Sequence, residues 1–296
     1  METFKSGFIS IVGRPNVGKS TLLNRMIGQK IAIISDKPQT TRNNILGVLT
    51  RDDMQMVFVD TPGIHRPFTK LGETMMKSAG SAMRDADAVL FLVEPKAEPG
   101  KTELKILEDL KQTGIPVILV INKIDTVKKE MLLPVISVYQ QAYTFASVYL
   151  ISAKQNDGVE ALLSELSSYL VEGPMYFPED SVTDQPERQI VAELVREKLL
   201  YLLEQEVPHG IAIEVFSMKE KPAIVDIEVN IYCEKQSHKG IVIGKKGSVL
   251  KEAGTLARAD IEEMLGKKVL LKLWVKVKDD WRNKEGALRN FGYTGE

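Results

Sequence analysis

Among 296 residues there is a single cysteine, Cys233, so no intramolecular disulfide framework can form and a reducing compartment is the natural setting. Histidine is almost as scarce. His65, His209 and His238 stand far apart with no second ligand at metal spacing, which argues against a zinc site. Long apolar runs are missing too: residues 88–93 and 117–121, the longest clean ones, fall far short of the ~20 needed to cross a bilayer and read as buried strands. Residues 7–12 are too short for a signal-peptide core and lead into a Gly-rich loop, so no export is expected. Nor does charge of one sign prevail, since 39 Lys and Arg face 40 Asp and Glu for a net of −1. What is present is 44% hydrophobic and 27% charged residues, an ordinary globular composition that excludes a disordered or collagenous chain. At roughly 150 residues per domain, the length favours two domains.

From residue 7 to about 173, short apolar runs (8–12, 56–59, 88–93, 116–121, 148–151) alternate with helix-period segments near 19–27, 71–85, 103–113, 131–143 and 159–170. Strands apolar on both faces and separated by helices imply a mainly parallel sheet covered on each side. Residues 46–51, the Asp52-Asp53 turn and residues 54–60 have no helix between them and predict one antiparallel edge hairpin. Residues 172–187 break the rhythm with Gly173, Pro174, Pro178 and Pro186 among acids and read as a linker. Beyond it, Val191, Leu194, Val195, Leu199, Leu202 and Leu203 keep helix spacing. Two period-two strands follow, then a Gly-rich loop, a helix (Leu250, Ala253, Ala257, Ile261, Met264, Leu265 on one face) and a last strand. The expected division is 1–172, a linker 173–187, and a small α+β domain over 188–296.

Gly13-Arg14-Pro15-Asn16-Val17-Gly18-Lys19-Ser20 fits G-x-x-x-x-G-K-S between a predicted strand and a predicted helix, the context of a phosphate-binding loop. Its glycines let backbone N–H groups converge on phosphates, the helix dipole favours the anion, Lys19 adds a mobile charge, and the Ser20 hydroxyl can ligate Mg²⁺. Three further segments decide the base. Asp60-Thr61-Pro62-Gly63 ends a strand, placing Asp60 to hold Mg²⁺ through water and the Gly63 amide to meet the terminal phosphate. Asn122-Lys123-Ile124-Asp125 follows another, and a carboxylate there accepts both N1–H and the 2-amino group of guanine, donors that adenine lacks in that arrangement. Ser152-Ala153-Lys154 follows the next, where a backbone N–H can reach guanine O6. All four in order, each at the C-terminal end of a strand, point to GTP and GDP.

With Thr21 closing the loop motif, and with Gln39-Thr40-Thr41-Arg42, Phe177-Pro178-Glu179-Asp180 and Leu273-Trp274-Val275-Lys276-Val277-Lys278, the chain resembles over essentially its whole length the translation-factor-related GTPases of the TrmE-Era-EngA class. Within that class it is most similar to the ribosome-assembly GTPases that carry a C-terminal KH domain. The resemblance implies a first switch over residues 30–44, in which Thr41 in preference to Thr40 senses the terminal phosphate through Mg²⁺, and a second from Asp60 to about Gly80. Lys19, Asn16, Thr41 and Gly63 then serve hydrolysis, and Ser20, Thr41 and Asp60 the metal. Many such GTPases carry a water-orienting Gln after the D-x-x-G glycine; here the position is Ile64, so a slow intrinsic rate is expected. Related GTPases with Asn at the position of Asn16 bind K⁺, and K⁺ stimulation is therefore expected.

Ile243-Gly244-Lys245-Lys246-Gly247 before an amphipathic helix fits the G-x-x-G loop of a type II KH domain, in which glycines admit the sugar-phosphate backbone and lysines attract phosphates. Charge agrees: residues 235–296 hold fourteen basic and eight acidic side chains, net +6, against −7 for residues 1–234. Lys272, Trp274 and Lys276 share a face of the last strand that either touches RNA or is covered by another element. Lys267-Lys268 reads as a solvated turn. The implied function is a GTP-driven switch acting in 30S subunit assembly, with the 3′ end of 16S rRNA as its RNA. A GTPase of the same class acting in RNA modification or at the membrane is the alternative. The expected setting is the cytoplasm, as a monomer, with a weak peripheral contact to the inner face of the membrane left open.

Overall fold

A computed structural model describes residues 3–64 and 67–293; His65 lies outside them. In chain order the elements are β1 (Lys5–Gly13), α1 (Lys19–Ile27), β2 (Ile45–Arg51), β3 (Met54–Asp60), α2 (Lys70–Arg84), β4 (Ala88–Val93), α3 (Lys101–Lys111), β5 (Val117–Ile121), α4 (Leu132–Ala142), β6 (Ser147–Leu150), α5 (Val159–Leu166) and β7 (Val171–Glu172). There follow α6 (Glu187–Leu202), β8 (Ala212–Glu220), β9 (Ile224–Cys233), α7 (Gln236–Ile243), α8 (Ser248–Leu265), β10 (Lys268–Val277) and α9 (Glu285–Asn290).

The first sheet runs β2-β3-β1-β4-β5-β6, parallel throughout except for the β2/β3 hairpin, with β7 added antiparallel to the start of β1. Every residue of β4 and β5 is buried, as continuous apolar runs covered on both faces demand. One core lies under α1 and α5, around Leu22, Phe58, Leu90 and Leu162; the other lies under α3 and α4, around Phe91, Ile106, Leu119 and Tyr139. Parallel pairing brings the ends of β1, β3, β5 and β6 to one edge, where the loops after them face a common crevice.

The second sheet, β10-β9-β8, pairs β9 in parallel with β10 and antiparallel with β8. Odd-numbered residues Val225, Ile227, Val229 and Ile231 of β9 enter a core with Val195 and Leu199 of α6, Val242 of α7 and Ala257 and Ile261 of α8.

Three features depart from the sequence reading. A helix, α7, stands between β9 and the G-x-x-G loop; with Gly240 inside it and Ile241-Val242-Ile243 at its end it has little intrinsic helical signal, and burial of Val242 supports it. The chain continues past β10 into α9. And the segment 173–186 is strapped down: Gln55 on β3 accepts the N–H groups of Tyr176 and Phe177 (2.8 and 3.0 Å) and donates to the Phe177 carbonyl. Val48 N–H donates to Val182, Thr183 Oγ1 donates to Leu46, and Tyr176 packs on Phe8 at 5.0 Å. Composition marks this segment as a linker because its partners are distant in sequence.

Candidate nucleotide and RNA sites

The turn between β1 and α1 holds the phosphate loop. Crowding selects glycine here: a Cβ on Gly18 would run into the Asn122 side-chain nitrogen, and one on Gly63, in the loop after β3, would lie 2.8 Å from the Pro15 backbone. Lys19 is buried and donates from Nζ to the Gly13 and Arg14 carbonyls at 3.3 and 3.1 Å. Burial lowers its pKa, and the Asp60 charge partly offsets that. Around it a cavity of about 270 Å³ is lined by residues of the loop, of the segment 33–41, and by Gly63 and Lys123.

Ser20, Thr41 and Asp60 converge at its floor. Ser20 Oγ donates to Asp60 Oδ2 at 2.7 Å and lies 3.0 Å from Thr41 Oγ1, which is 3.4 Å from the same carboxylate oxygen. Asp60 is 0% exposed, and its Oδ1 has no hydrogen-bond partner among the described residues. Burial pushes its carboxyl above the usual range against the opposing pull of Lys19, Ser20 and Thr41. An unpartnered buried carboxylate oxygen beside two hydroxyls is a hard oxygen set that fits Mg²⁺. Thr40 is turned elsewhere, donating to the Lys37 carbonyl.

At the base end, Asn122 braces two loops, donating to the Val17 carbonyl at 2.8 Å and accepting the Ala153 N–H at 2.9 Å. Ser152 Oγ donates to Asp125 Oδ1 at 2.6 Å. Lys123 reaches back to the Asn16 carbonyl and Glu94, both at 2.6 Å. Arg25 caps the carbonyls of Ala153 and Lys154 at 3.1 Å. Thr61 Oγ1 donates to Ile11, tying the strip that contains Pro62 to β1. Asn16 donates to the Asp36 carbonyl at 2.5 Å, while Ile64 packs among the apolar residues of the α3/α4 core.

Sequence reasoning missed the junction between the two domains. Arg42, next to Thr41 and 3% exposed, donates to the Ile211 carbonyl at 2.6 Å, to His209 at 3.1 Å and to Tyr293 Oη at 3.3 Å, with the Trp281 and Tyr293 rings 5.7 Å away. Arg196 donates to the Thr40 carbonyl. Glu197 accepts the Ile34 N–H and pairs with Lys30, which also meets Asp260. Leu71 and Met75 of α2 pack with Trp281, Ala287, Leu288 and Tyr293. The only signal available was an arginine abutting the threonine of the first switch.

In the second domain Gly247 adopts φ +80° as the N-cap of α8 with no side-chain cap, leaving the first helical N–H groups for an anion. Lys245 and Lys246 are exposed, and Ile243 and Gly244 lead into the turn. Alongside runs a groove between α8 and β10, lined by Leu250, Lys251, Gly254, Arg258, Leu271 and Leu273 among others; the motif alone does not reveal it. Cys233 is buried and its thiol is pushed up to about 11, which leaves it inert.

Residues 8–123 match the family described as 50S ribosome-binding GTPase, and residues 206–282 match the KH domain family. Over 292 residues the chain is 51% identical to the GTPase Era of Ruminiclostridium cellulolyticum, covering 98% of both chains, and it is 52% identical to that of Clostridioides difficile, covering 98% of this chain and 99% of the relative. The chain belongs to the Era family of GTPases. Among solved structures of Era, one in complex with MgGDPNP and nucleotides 1506–1542 of 16S ribosomal RNA shares 40% identity at a TM-score of 0.95. A point variant of Aquifex aeolicus Era bound to GDP·AlF4⁻ gives 40% and 0.94, and each comparison covers 98% of this chain and 99% of the other. The α/β P-loop GTPase unit followed by a KH domain is therefore that of Era.

Proposed function

We propose that the chain is a GTP-hydrolysing switch whose KH domain binds the 3′ end of 16S rRNA during assembly of the small ribosomal subunit. The observation that carries this reading is the adjacency of Thr41 and Arg42. One stands in the oxygen cluster at the floor of the nucleotide cavity, the other is embedded in the KH half. The Era crystallised with MgGDPNP and nucleotides 1506–1542 of 16S rRNA supports it. The two cores of the first sheet and the separate core of the second support the division into 1–172, 173–187 and 188–296, with the middle segment strapped to the first unit.

In this reading the loop from Gly13 to Thr21 cradles the phosphates, Lys19 leaves its carbonyls for the terminal ones, and Ser20, Thr41 and Asp60 hold Mg²⁺, which neutralises phosphate charge. Asp125 and the Ala153 N–H read the base, while Asn122, Ser152 and Lys123 hold the reading loops in place. Retention of the Thr41 hydroxyl in the cluster orders the first switch, and Arg42 transmits that order to the KH half. Binding of the 3′-terminal 37 nucleotides of 16S rRNA with GDP and with a non-hydrolysable GTP analogue is the test. About tenfold tighter binding with the analogue is expected, and equal affinities overturn the switch.

Two further outcomes follow from named atoms. Ile64 cannot orient water, so the backbone around Gly63 takes that role, while Asn16 and the Asp36 carbonyl would hold a K⁺ whose charge would offset that developing on the phosphates. Single-turnover GTP hydrolysis should run faster in potassium than in sodium buffer, and equal rates remove K⁺ from the site. Gly247→Asp places negative charge in open space at the head of α8, and Asp tolerates a left-handed backbone better than most residues. RNA affinity should drop at least about tenfold from like-charge repulsion, with GTP affinity unchanged. Filter binding of RNA and of nucleotide, side by side, checks both halves.

A further inference from the structure

The KH sheet has two faces, and the groove uses one. On the other, β10 presents Lys272, Trp274 and Lys276, β9 presents Asp226, Glu228, Asn230 and Tyr232, and β8 presents Phe216. Among the described residues no helix covers this face near Trp274, which is 53% exposed, or Phe216, at 46%. The second tryptophan, Trp281, is 0% exposed. A shallow cleft of about 370 Å³ opens here, lined by Phe216, Glu228, Asn230, Trp274, Val275 and Lys276.

Charge on this face is sorted. Asp226 and Glu228 both pair with Lys272 at 3.1 Å, and Glu214 accepts from Tyr232 Oη and Asn230 at 2.8 and 3.1 Å. Lys276 and Lys278 pair with no carboxylate among the described residues. Their ammonium groups stand over rings instead: Lys276 lies 5.7 Å from Phe216 and 5.9 Å from Tyr232, and Lys278 lies 4.7 Å from Phe291 and 5.8 Å from Tyr232. Acids engaged in ion pairs or hydrogen bonds, two cations outside any such pair and aromatic faces exposed beside them are the elements of a stacking platform for unpaired bases. Position adds to this. β10 is an edge strand, so a single strand aims Leu271 and Leu273 into the groove and Trp274 and Lys276 onto the opposite face.

We propose that this open sheet face is a second single-stranded RNA site, where bases stack on Trp274 and Phe216 and Lys276 and Lys278 meet phosphates. An RNA strand leaving the groove reaches it by crossing the β10 edge. The site builds on the reading of the groove as the primary RNA site, and the experiment separates the two.

Full-length protein is titrated with fluorescently labelled oligoadenylates of 4 and 12 nucleotides, the shorter matching the roughly four nucleotides that a G-x-x-G loop clamps. Trp274→Ala should weaken the 12-mer about tenfold and leave the 4-mer unchanged, while Trp274→Phe restores most of the loss. Lys276→Gln should reduce the slope of log affinity against log salt for the 12-mer by about 0.7. Because Trp281 is buried, quenching of the exposed tryptophan signal by the 12-mer, absent in Trp274→Phe, reports the stack directly. Phe216→Ala repeats the test on the neighbouring strand should Trp274→Ala lower the melting temperature. Unchanged 12-mer affinity in both alanine variants overturns the proposal, as does an equal loss for both lengths. If neither length responds to Gly247→Asp yet the 12-mer still quenches Trp274, the groove reading fails and the sheet-face site stands.

Discussion

Asp125→Asn is expected to weaken GTP binding by about 100-fold and to raise the affinity for xanthosine triphosphate by a similar factor. In the proposed reading the carboxylate accepts two donors of guanine, and hydrogen bonds to a charged group contribute about 1.5–3 kcal/mol each, so losing both removes at least about 3 kcal/mol, or two decades. The variant does more than lose charge. Ser152 Oγ donates to Asp125 Oδ1 at 2.6 Å and so fixes the plane of the group. In asparagine the oxygen would stay with Ser152 and the amide nitrogen would face guanine's own donors, which it repels. Xanthine presents a 2-oxo acceptor at that place, so the same amide donates to it. Calorimetric titration with the two nucleotides checks both directions, and an unaltered preference for guanine would remove Asp125 from base recognition.

The parts of the site that were legible in the sequence are those built from contiguous residues at strand ends. The phosphate loop, the run from Asp60 to Gly63, and Asn122 to Asp125 each carry their chemistry within a few positions, and strand ends are marked by apolar runs. The β2/β3 hairpin was legible for the same reason, since Asp52-Asp53 separates two runs too close together for a helix. What resisted was whatever depends on a partner far along the chain. The period of α2 shows one apolar face, yet nothing local says that Leu71 and Met75 meet Trp281 and Leu288 rather than the sheet. Gln55, a polar residue in a buried strand, gives no hint that it holds Tyr176 and Phe177. Alternation along β10 put Trp274 on the face opposite Leu273, but period alone cannot tell a covered face from an open one.

Arg42→Ala should lower stability by about 3–4 kcal/mol, split thermal unfolding into two transitions and make RNA affinity indifferent to the bound nucleotide. The guanidinium satisfies two backbone carbonyls, Ile211 and His209, and lies beside two rings in a place closed to water. Truncation leaves both carbonyls without a donor at about 1–3 kcal/mol each and opens a void beside Trp281. At about 2–4 °C per kcal/mol for a chain of this size, the affected transition should move by roughly 10 °C. Arg42→Lys should not rescue it, because one ammonium cannot reach both carbonyls and lie against both rings. Lys30→Ala is the control at the same junction. Its side chain is part-exposed where it meets Glu197 and Asp260, so its loss should cost less than about 1 kcal/mol. Differential scanning calorimetry of the three variants, with RNA binding in GDP and in GTP analogue, separates a latch from a mere contact. A single unshifted transition in Arg42→Ala would leave Thr41 without a mechanical link to the KH half. Two transitions with nucleotide-sensitive RNA binding intact would move the link to Arg196 and the Thr40 carbonyl.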